Sequence, residues 1–596
     1  VINLAFDIES HDSELLWSMG PEFFRVAGYS TGQGVRITTD PHELNRNLTS
    51  PLVDAIAGSH IMGFDLPVLR KICGFDIVEA AERGRLRDSM LIAFYRDPPP
   101  AQMNTGQIQR YFNLSNTAKR VLNDVKHTDA SKALVKEYGS WGAIPVDDAR
   151  FASYLHTDVE LAGNVTSALC GPEWDMPPYL FREHRIAALG AIITMNGFRV
   201  DDELVLKRYE AGELKRRTIL ERLTQDFGLP TVRKDGSPSK APQNTQEGRL
   251  AVKRAFEAVG AKHMPKTDKG AWGTGKEAMN KMIEHYGSPK GGLSDRRQQS
   301  VRDLAETIQS LNGIRTVYET TKKYMVEDGD GSWRVHPAVD ARQASGRLSF
   351  TKPGLTVMGK RGGRHHEREI FLPEPGHVIV CADLSQIDAR AVAVLSQDQG
   401  YMDLFGPGAD LHAEVAKRVF GNADLREMAK PLNHGYNYGL GARKVIDTMG
   451  LDPKVVFQFY EQMQRQFPRL MEWKAEIAEI AAQGHLLDNG WGRRMRPEPR
   501  RAYTQGPALM GQGCARDLMM EGMLRLPREI HPMLRGVIHD EVVCSVPIDI
   551  VDDVEKAIVK AFTFEWAPPK MPNARPIQIV ADVGNRGTSW GNVYEK

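Results

Sequence analysis

Two apolar runs ending in carboxylates, far apart in the chain, constrain this sequence more than any other feature. The run His377–Ala382 leads into Asp383. The segment 536–546 reads as a tight hairpin with His539, Asp540 and Glu541 at its tip and apolar strands on both sides. Asp383 and Asp540 can meet only if their strands pair in one sheet. Two carboxylates at adjacent strand ends form a hard-oxygen pair suited to two Mg²⁺ (or Mn²⁺) ions. Such ions would lower the pKa of an attacking hydroxyl and bind a triphosphate.

Between these acids, Arg426, Lys430, His434 and Tyr438 recur every four residues. On a helix they form one slowly rotating stripe. Two cations leading to aromatic rings suit a nucleotide, with phosphates toward the cations and base and sugar toward the rings. Taken alone, the stripe is equally a solvated basic face with Tyr438 in the core. Pro431 follows Lys430, and a proline inside a helix removes a backbone hydrogen bond at a cost of ~3 kcal/mol. The sequence therefore predicts a kink or a late helix start there.

A second set of acids lies near residue 1. Asp7 and Glu9, two apart on a first strand, share a face. Asp65 is predicted to close a short strand over 59–64. Tyr154 and Asp158 are four apart on a predicted helix and share its face. Four carboxylates and a tyrosine can hold two metal ions for in-line phosphodiester cleavage, with Tyr154 orienting the water. Any one of these acids alone reads better as a surface residue at a strand end.

Composition excludes little. The chain has 596 residues, 41% apolar and 26% charged, which fits several soluble globular domains. The net charge of +1 means that any nucleic-acid contact must come from local basic clusters. Two candidates are Lys360–Arg368 and Arg493–Arg501. Either alone reads as a solvated loop, but the first precedes the Asp383 run and the second lies between the stripe and the hairpin, which favours phosphate contacts. The five cysteines form no C-x-x-C pair, so neither a zinc site nor a redox motif is read, and scattered thiols fit a cytoplasmic setting. No apolar stretch is long enough to span a bilayer, and no signal peptide precedes the first strand. No membrane partner is expected, and monomer is the default.

The segment 1–175 mixes short strands and helices. Residues 171–178 read as a linker. A long helical region follows, with a polar, Gly/Pro/Lys-rich loop or subdomain over 228–275 and renewed helix over 296–325.

The motif set resembles family A DNA polymerases (DNA polymerase I-like, of the phage replicative type). Asp383 to Arg390 resembles the first polymerase motif of that family, Arg426–Lys430–Tyr438–Gly439 the second, and His539–Asp540–Glu541 the third. Ser345 to Ser349, around Arg347, resembles a primer-contacting element. Asp410–Leu411–His412 resembles the start of a fingers helix, and Gln512–Gly513 with Asp517 the helix that touches the nascent minor groove. The set Asp7, Glu9, Asp65, Tyr154 and Asp158 resembles the DEDD-type 3′→5′ proofreading exonuclease.

The resemblance implies an α/β multidomain fold. An RNase H-like exonuclease domain (1–175) is followed by linker and thumb (176–340), palm (341–405), fingers (406–510) and the second part of the palm (511–596). The palm has an antiparallel sheet, and the fingers and thumb are helical. It implies a nucleotidyltransferase that adds dNTPs to a primer on template DNA, with proofreading and two Mg²⁺ or Mn²⁺ per active site. Metal ligands would be Asp383 and Asp540 in one site and Asp7, Glu9, Asp65 and Asp158 in the other, with Glu541 supporting. Lys430 would protonate pyrophosphate. Arg426, Lys430, His434, Tyr438, His412, Asp388 and Gln386 would bind the nucleotide, and Arg347, Gln512, Arg493 and Arg494 the DNA. With the exonuclease motif so near residue 1, no room is expected for a 5′-nuclease domain. The expected setting is phage DNA replication in the host bacterial cytoplasm, and no residue names a processivity factor.

The sequence departs from the family pattern at four places. Asp388 replaces a glutamate that excludes a ribose 2′-OH, which predicts a looser gate. His434 replaces Phe or Tyr, which predicts tolerance of dideoxynucleotides. Ile61 replaces an asparagine in the second exonuclease motif, and Leu355–Thr356–Val357 replaces an amide-bearing element near the primer. Two other readings remain. A single-subunit RNA polymerase shares the palm, and the proofreading acids and His539–Asp540–Glu541 argue against it. A nuclease with a non-catalytic DNA-binding half is opposed by the intact Asp383, Asp540, Arg426 and Lys430.

Overall fold

The structure is a computed structural model that describes residues 2–123, 129–171, 175–233, 236–239, 241–267, 270–313, 316–359, 365–406 and 408–595. The chain divides into a larger unit, Val1–Arg199 with Val326–Lys596, and a smaller unit, Val200–Met325. The smaller unit falls inside the span 176–340 expected for linker and thumb. The flanking residues belong with the larger unit.

The N-terminal part of the larger unit is a five-stranded mixed sheet. Its strands are β1 (Ile2–Ser10), β2 (Phe24–Ser30), β3 (Val35–Thr38), β4 (Val53–Gly58) and β5 (Leu86–Asp88), in the order β3-β2-β1-β4-β5. β1 is central, antiparallel to β2 and parallel to β4. Leu4, Phe6 and Ile8 alternate along β1 and are buried in one core, while Ala5 packs in a second core on the other face. That second face is covered by α2 (Ala149–Cys170), through Phe151, Leu155 and Val159. Gly28 on β2 lets the helix come this close, since a Cβ there would lie 2.8 Å from Val159 Cγ2.

The predicted strand over 59–64 is not formed. The strand is Val53–Gly58, followed by a turn, and Asp65 opens helix α1 (Asp65–Cys73) rather than closing a strand. The carboxylate of Asp88 explains the turn, because it accepts hydrogen bonds from His60 N (3.1 Å) and Met62 N (3.2 Å). Ile61 is 1% exposed and packs over Gly58, so it serves as core where the family pattern has an amide.

α2 ends at Cys170, and α3 (Pro178–Asn196) begins on the last residue of the expected linker. The later part of the larger unit holds a four-stranded sheet of β6 (His377–Leu384), β7 (Leu534–Ile538), β8 (Glu541–Pro547) and β9 (Ala581–Val583), in the order β7-β8-β6-β9. The two distant apolar runs thus pair antiparallel, with Val380 opposite Cys544 and Asp383 opposite Glu541. α4 (Ile387–Ser396) leaves the end of β6. α5 (Arg426–Asn437) carries the basic stripe, and α6 (Ala502–Arg525) packs against α4.

α5 runs from Arg426 to Asn437 with Pro431 inside it, so of the predicted kink or late start, the late start does not occur. A proline removes only the bond to Glu427 O, one turn into the helix. The burial of Ala429 and Leu432 on either side keeps the helix continuous.

In the smaller unit, the helices Asp202–Phe227, Gln246–Ala258, Lys276–Tyr286 and Asp295–Gly313 enclose a core that includes Leu223, Ala255, Phe256, Met279, Met282 and Ile308. The described residues of the polar span 228–275 include the helix Gln246–Ala258 and contribute Leu229, Val252 and Met264 to that core, which favours the subdomain over the loop.

Candidate active sites

The first site sits where β1 meets α2. Ligand oxygens of Asp7, Glu9 and Asp158 lie within 4.8 Å of one another. Asp65 arrives from α1 and accepts a hydrogen bond from Ile8 N at 2.9 Å. Burial and the neighbouring Asp7 push the Asp65 carboxyl well above the usual carboxylate range. Four acids in this arrangement repel one another unless a cation lies among them, and an all-oxygen donor set fits a hard divalent ion. Tyr154 joins the group. Burial, then Glu9, Asp158 and Asp7, raise its pKa, so the phenol stays protonated and can donate.

One residue here was invisible to spacing arguments. Trp141 Nε1 donates to Glu9 Oε2 at 3.0 Å, and its ring meets the Tyr154 ring edge-on, 5.6 Å between centroids. A tryptophan before a Gly in a polar loop gives no sequence signal of that role.

The second site is built on the β6–β8 pair. Leu384 N donates to Asp540 O (2.9 Å), which brings the tip of the hairpin beside Asp383. Asp582 on β9 stands opposite Asp383 on its other side, a carboxylate that the sequence did not single out. A concavity beside this edge is lined by Asp540, Gln386, Asp388, His412, His434 and Tyr438. The structure therefore gathers residues from α4, the helix Leu411–Phe420, α5 and the hairpin that the sequence had grouped only by motif.

Within this concavity, Asp388 Oδ1 accepts from Arg347 Nη2 at 3.0 Å. Burial first, and then Asp388, raise the pKa of Tyr438. The Tyr438 ring lies against Gly511, one residue before Gln512 on α6. Gly439, with φ +71°, turns the chain where a Cβ would stand 2.5 Å from Tyr503 O, so only glycine fits. The His412 imidazole is pushed down to about 4, by burial first and then by Lys430. It is therefore neutral at pH 7 in the free protein. Arg426 Nε donates to Asp410 Oδ2 at 2.9 Å, and Asp410 also caps the helix Leu411–Phe420. Beneath the stripe, Tyr401 bonds Asn433 (3.2 Å) and Asn437 (2.8 Å), a buried network that fixes the back of α5.

Some expected DNA contacts are placed otherwise. Arg493 is 2% exposed and pairs with Glu183 at 3.2 Å, within a buried cluster that includes Arg516 and Asp517. It cannot face a duplex, and its guanidinium instead packs against Gly346, beside Arg347. Arg494 donates to Tyr95 O (2.8 Å), tying the later sheet's surroundings to the N-terminal part. In the second basic cluster, Arg500 and Arg501 are exposed. Of the first, Lys360, Arg361 and Arg364 lie outside the described residues, and Arg368 is buried. Glu541 points to Arg368 at 3.3 Å and to Tyr594.

Comparison with known proteins gives one consistent picture. The family model "DNA polymerase family A" matches residues 252–592, more than half of the chain. The DNA polymerase of Mycobacterium phage D29 is 26% identical over 548 residues, covering 89% of this chain and 83% of that protein. The thermostable DNA polymerase I of Thermus filiformis is 28% identical over 306 residues, covering 47% of this chain and 35% of that protein. Among solved structures, the POL domain of Pol1 from M. smegmatis, in complex with DNA primer-template and dNTP, superposes with a TM-score of 0.65 at 19% identity. The match covers 99% of this chain and 96% of that one, a likeness of fold.

Proposed function

The chain belongs to DNA polymerase family A, and from that premise we propose that it extends a DNA primer on a template with dNTPs and removes mispaired 3′ ends at a second site. The single observation that carries the synthetic reading is the meeting of Asp383 and Asp540 through the β6–β8 pair, beside a concavity lined by Asp388, His412, His434 and Tyr438. Divalent ions bound by these carboxylates would supply charge neutralisation for the triphosphate and acidify the primer hydroxyl. Lys430 and Arg426 would bind the phosphates, with Lys430 giving a proton to the leaving pyrophosphate. His412, neutral at pH 7, would donate a hydrogen bond to the same phosphates. Tyr438 and Asp388 would seat the sugar and base, and Arg347 and Gln512 would contact the primer-template minor groove, where acceptors are shared by all correct pairs.

Proofreading is supported by the Asp7–Glu9–Asp158 cluster, with Asp65 and Tyr154 around it. There Tyr154 would orient a water toward the terminal phosphodiester. The Arg493–Arg501 segment would contribute to DNA contact only through its exposed end, Arg500 and Arg501. A role in phage replication is supported by the D29 relative, which matches along most of its length.

The test is extension of a 5′-labelled primer with Mg²⁺, using the four dNTPs and, separately, the four rNTPs. The reading expects extension with dNTPs, loss of it in Asp383→Asn and Asp540→Asn, and markedly weaker extension with rNTPs. Extension with rNTPs alone would instead indicate an RNA polymerase, and no extension with either set would leave a DNA-binding module.

A further inference from the structure

Glu541 follows the metal-binding candidate Asp540 and stands directly opposite Asp383 in the β6–β8 register. Residues opposite each other in an antiparallel pair share a face of the sheet, as do residues two apart on one strand. Cys381, Asp383 and Glu541 are therefore on one face. A third carboxylate there would add its charge to the Asp383–Asp540 pair, yet Glu541 is 3% exposed and engaged elsewhere. Arg368, also 3% exposed, reaches it at 3.3 Å.

The Tyr594 hydroxyl donates to the same Glu541 oxygen. That hydroxyl in turn accepts from Arg368 Nη1 (2.5 Å) and from Trp590 Nε1 (3.0 Å), and Cys381 Sγ lies 3.9 Å away. Arg368 is itself fixed, with Nη2 donating to Met358 O at 3.2 Å and its guanidinium 4.1 Å over the fully buried Trp590 ring. The segment Trp590–Tyr594 thus reaches beneath the sheet edge that carries the candidate catalytic acids.

We propose that Arg368 and Tyr594 form a positioning lock on Glu541, holding its carboxylate off the Asp383–Asp540 pair and fixing the hairpin tip so that Asp540 faces the nucleotide. Glu541 and Tyr594 are positioning residues here, acting through Asp540, and the inference rests on the polymerase reading above. The neutralising partner is Arg368, and the directional one is Tyr594, whose single hydroxyl joins Trp590, Arg368 and Glu541. Removing that hydroxyl leaves the ring in place but takes from Glu541 Oε1 the donor it shares with Arg368, which is the kind of loss that shifts a side chain rather than unfolds a domain.

The experiment is single-turnover nucleotide addition by the full chain with Mg²⁺, for wild type, Tyr594→Phe, Glu541→Gln and the double variant. Melting curves and primer-template affinity are measured for each, and rates are corrected for folded fraction. The lock requires Tyr594→Phe to lower the maximal addition rate by about tenfold, with the half-saturating dNTP concentration and DNA affinity within about twofold of wild type. The double variant should be no slower than the slower single one, because both changes break one unit. An unchanged corrected rate in Tyr594→Phe overturns the proposal, as do losses that multiply in the double variant. If Glu541→Gln does not fold, Tyr594→Phe decides alone, since it preserves the packed ring. A wild-type protein that fails to extend primers would sink the polymerase reading itself, and the lock with it.

Discussion

Asp388 shows how much a single methylene can decide. Its carboxylate is held by Arg347 at 3.0 Å and faces Tyr438, so the short side chain is anchored toward that arginine. Less of it is left to fill the space under a sugar. We expect Asp388→Glu to discriminate against ribonucleotides about tenfold more strongly than wild type, a change of ~1.4 kcal/mol, read by competing rNTP and dNTP incorporation. Equal discrimination would refute the looser gate. At the other site, Trp141→Phe keeps an aromatic ring, though a smaller one, and deletes the bond to Glu9. A hydrogen bond to a charged group contributes ~1.5–3 kcal/mol, so 3′→5′ degradation of single-stranded DNA should slow at least about tenfold while extension is untouched. His412 gives a pH handle. Its folded-state pKa of about 4 is below the ordinary 6.5, so the native imidazole stays neutral while the unfolded one takes up a proton. Stability therefore falls as pH drops from 6.5 toward 4, and the signal missing from the histidine NMR spectrum of His412→Gln should titrate near 4. A midpoint near 6.5 would contradict the burial argument. Asp7 and Glu9 were legible from their period of two on a strand, Asp158 from its period of four with Tyr154 on a helix, and Asp383 and Asp540 from the apolar runs that lead to them. Trp141, Asp88, Tyr594 and Asp582 were not, because each acts through a partner more than twenty residues away.

At the scale of elements, the strands were read more safely than the turns between them. The His377–Ala382 run and the hairpin strands were visible as continuous apolar stretches. The turn over 59–64 was misread because Ile61 and Met62 are buried as a strand would bury them. What decides their conformation is the Asp88 carboxylate, which lies on a different element. Pro431 is the reverse case, a local rule overridden by packing. Because α5 continues through it, Pro431→Ala should restore one backbone bond and raise stability, by up to ~3 kcal/mol in the limit of an unstrained helix. Denaturant unfolding measures this directly, and a destabilised variant would show that the proline is an asset to the native helix. The basic cluster 493–501 teaches a related lesson. A run of arginines signals charge but not direction, and here Arg493 is spent on Glu183 while Arg500 and Arg501 reach the surface.

At the scale of the whole molecule, the order of motifs carried the reading. Asp383 and Asp540 had to share a sheet, and the β7-β8-β6-β9 order brings their strands together. The boundary of the smaller unit, Val200–Met325, was not legible, because its polar surface hid the core residues Leu229, Val252 and Met264. The central claim is that two separate carboxylate centres do opposite work on one DNA strand. The most direct measurement follows a labelled primer with a mismatched 3′ end, in Mg²⁺, with and without dNTPs, in wild type, Asp540→Ala and Asp7→Ala. The expected result is that Asp540→Ala shortens the primer but never extends it, and that Asp7→Ala no longer shortens it but still extends a matched control. If either substitution abolishes both activities, or neither changes either, the two-centre account is wrong.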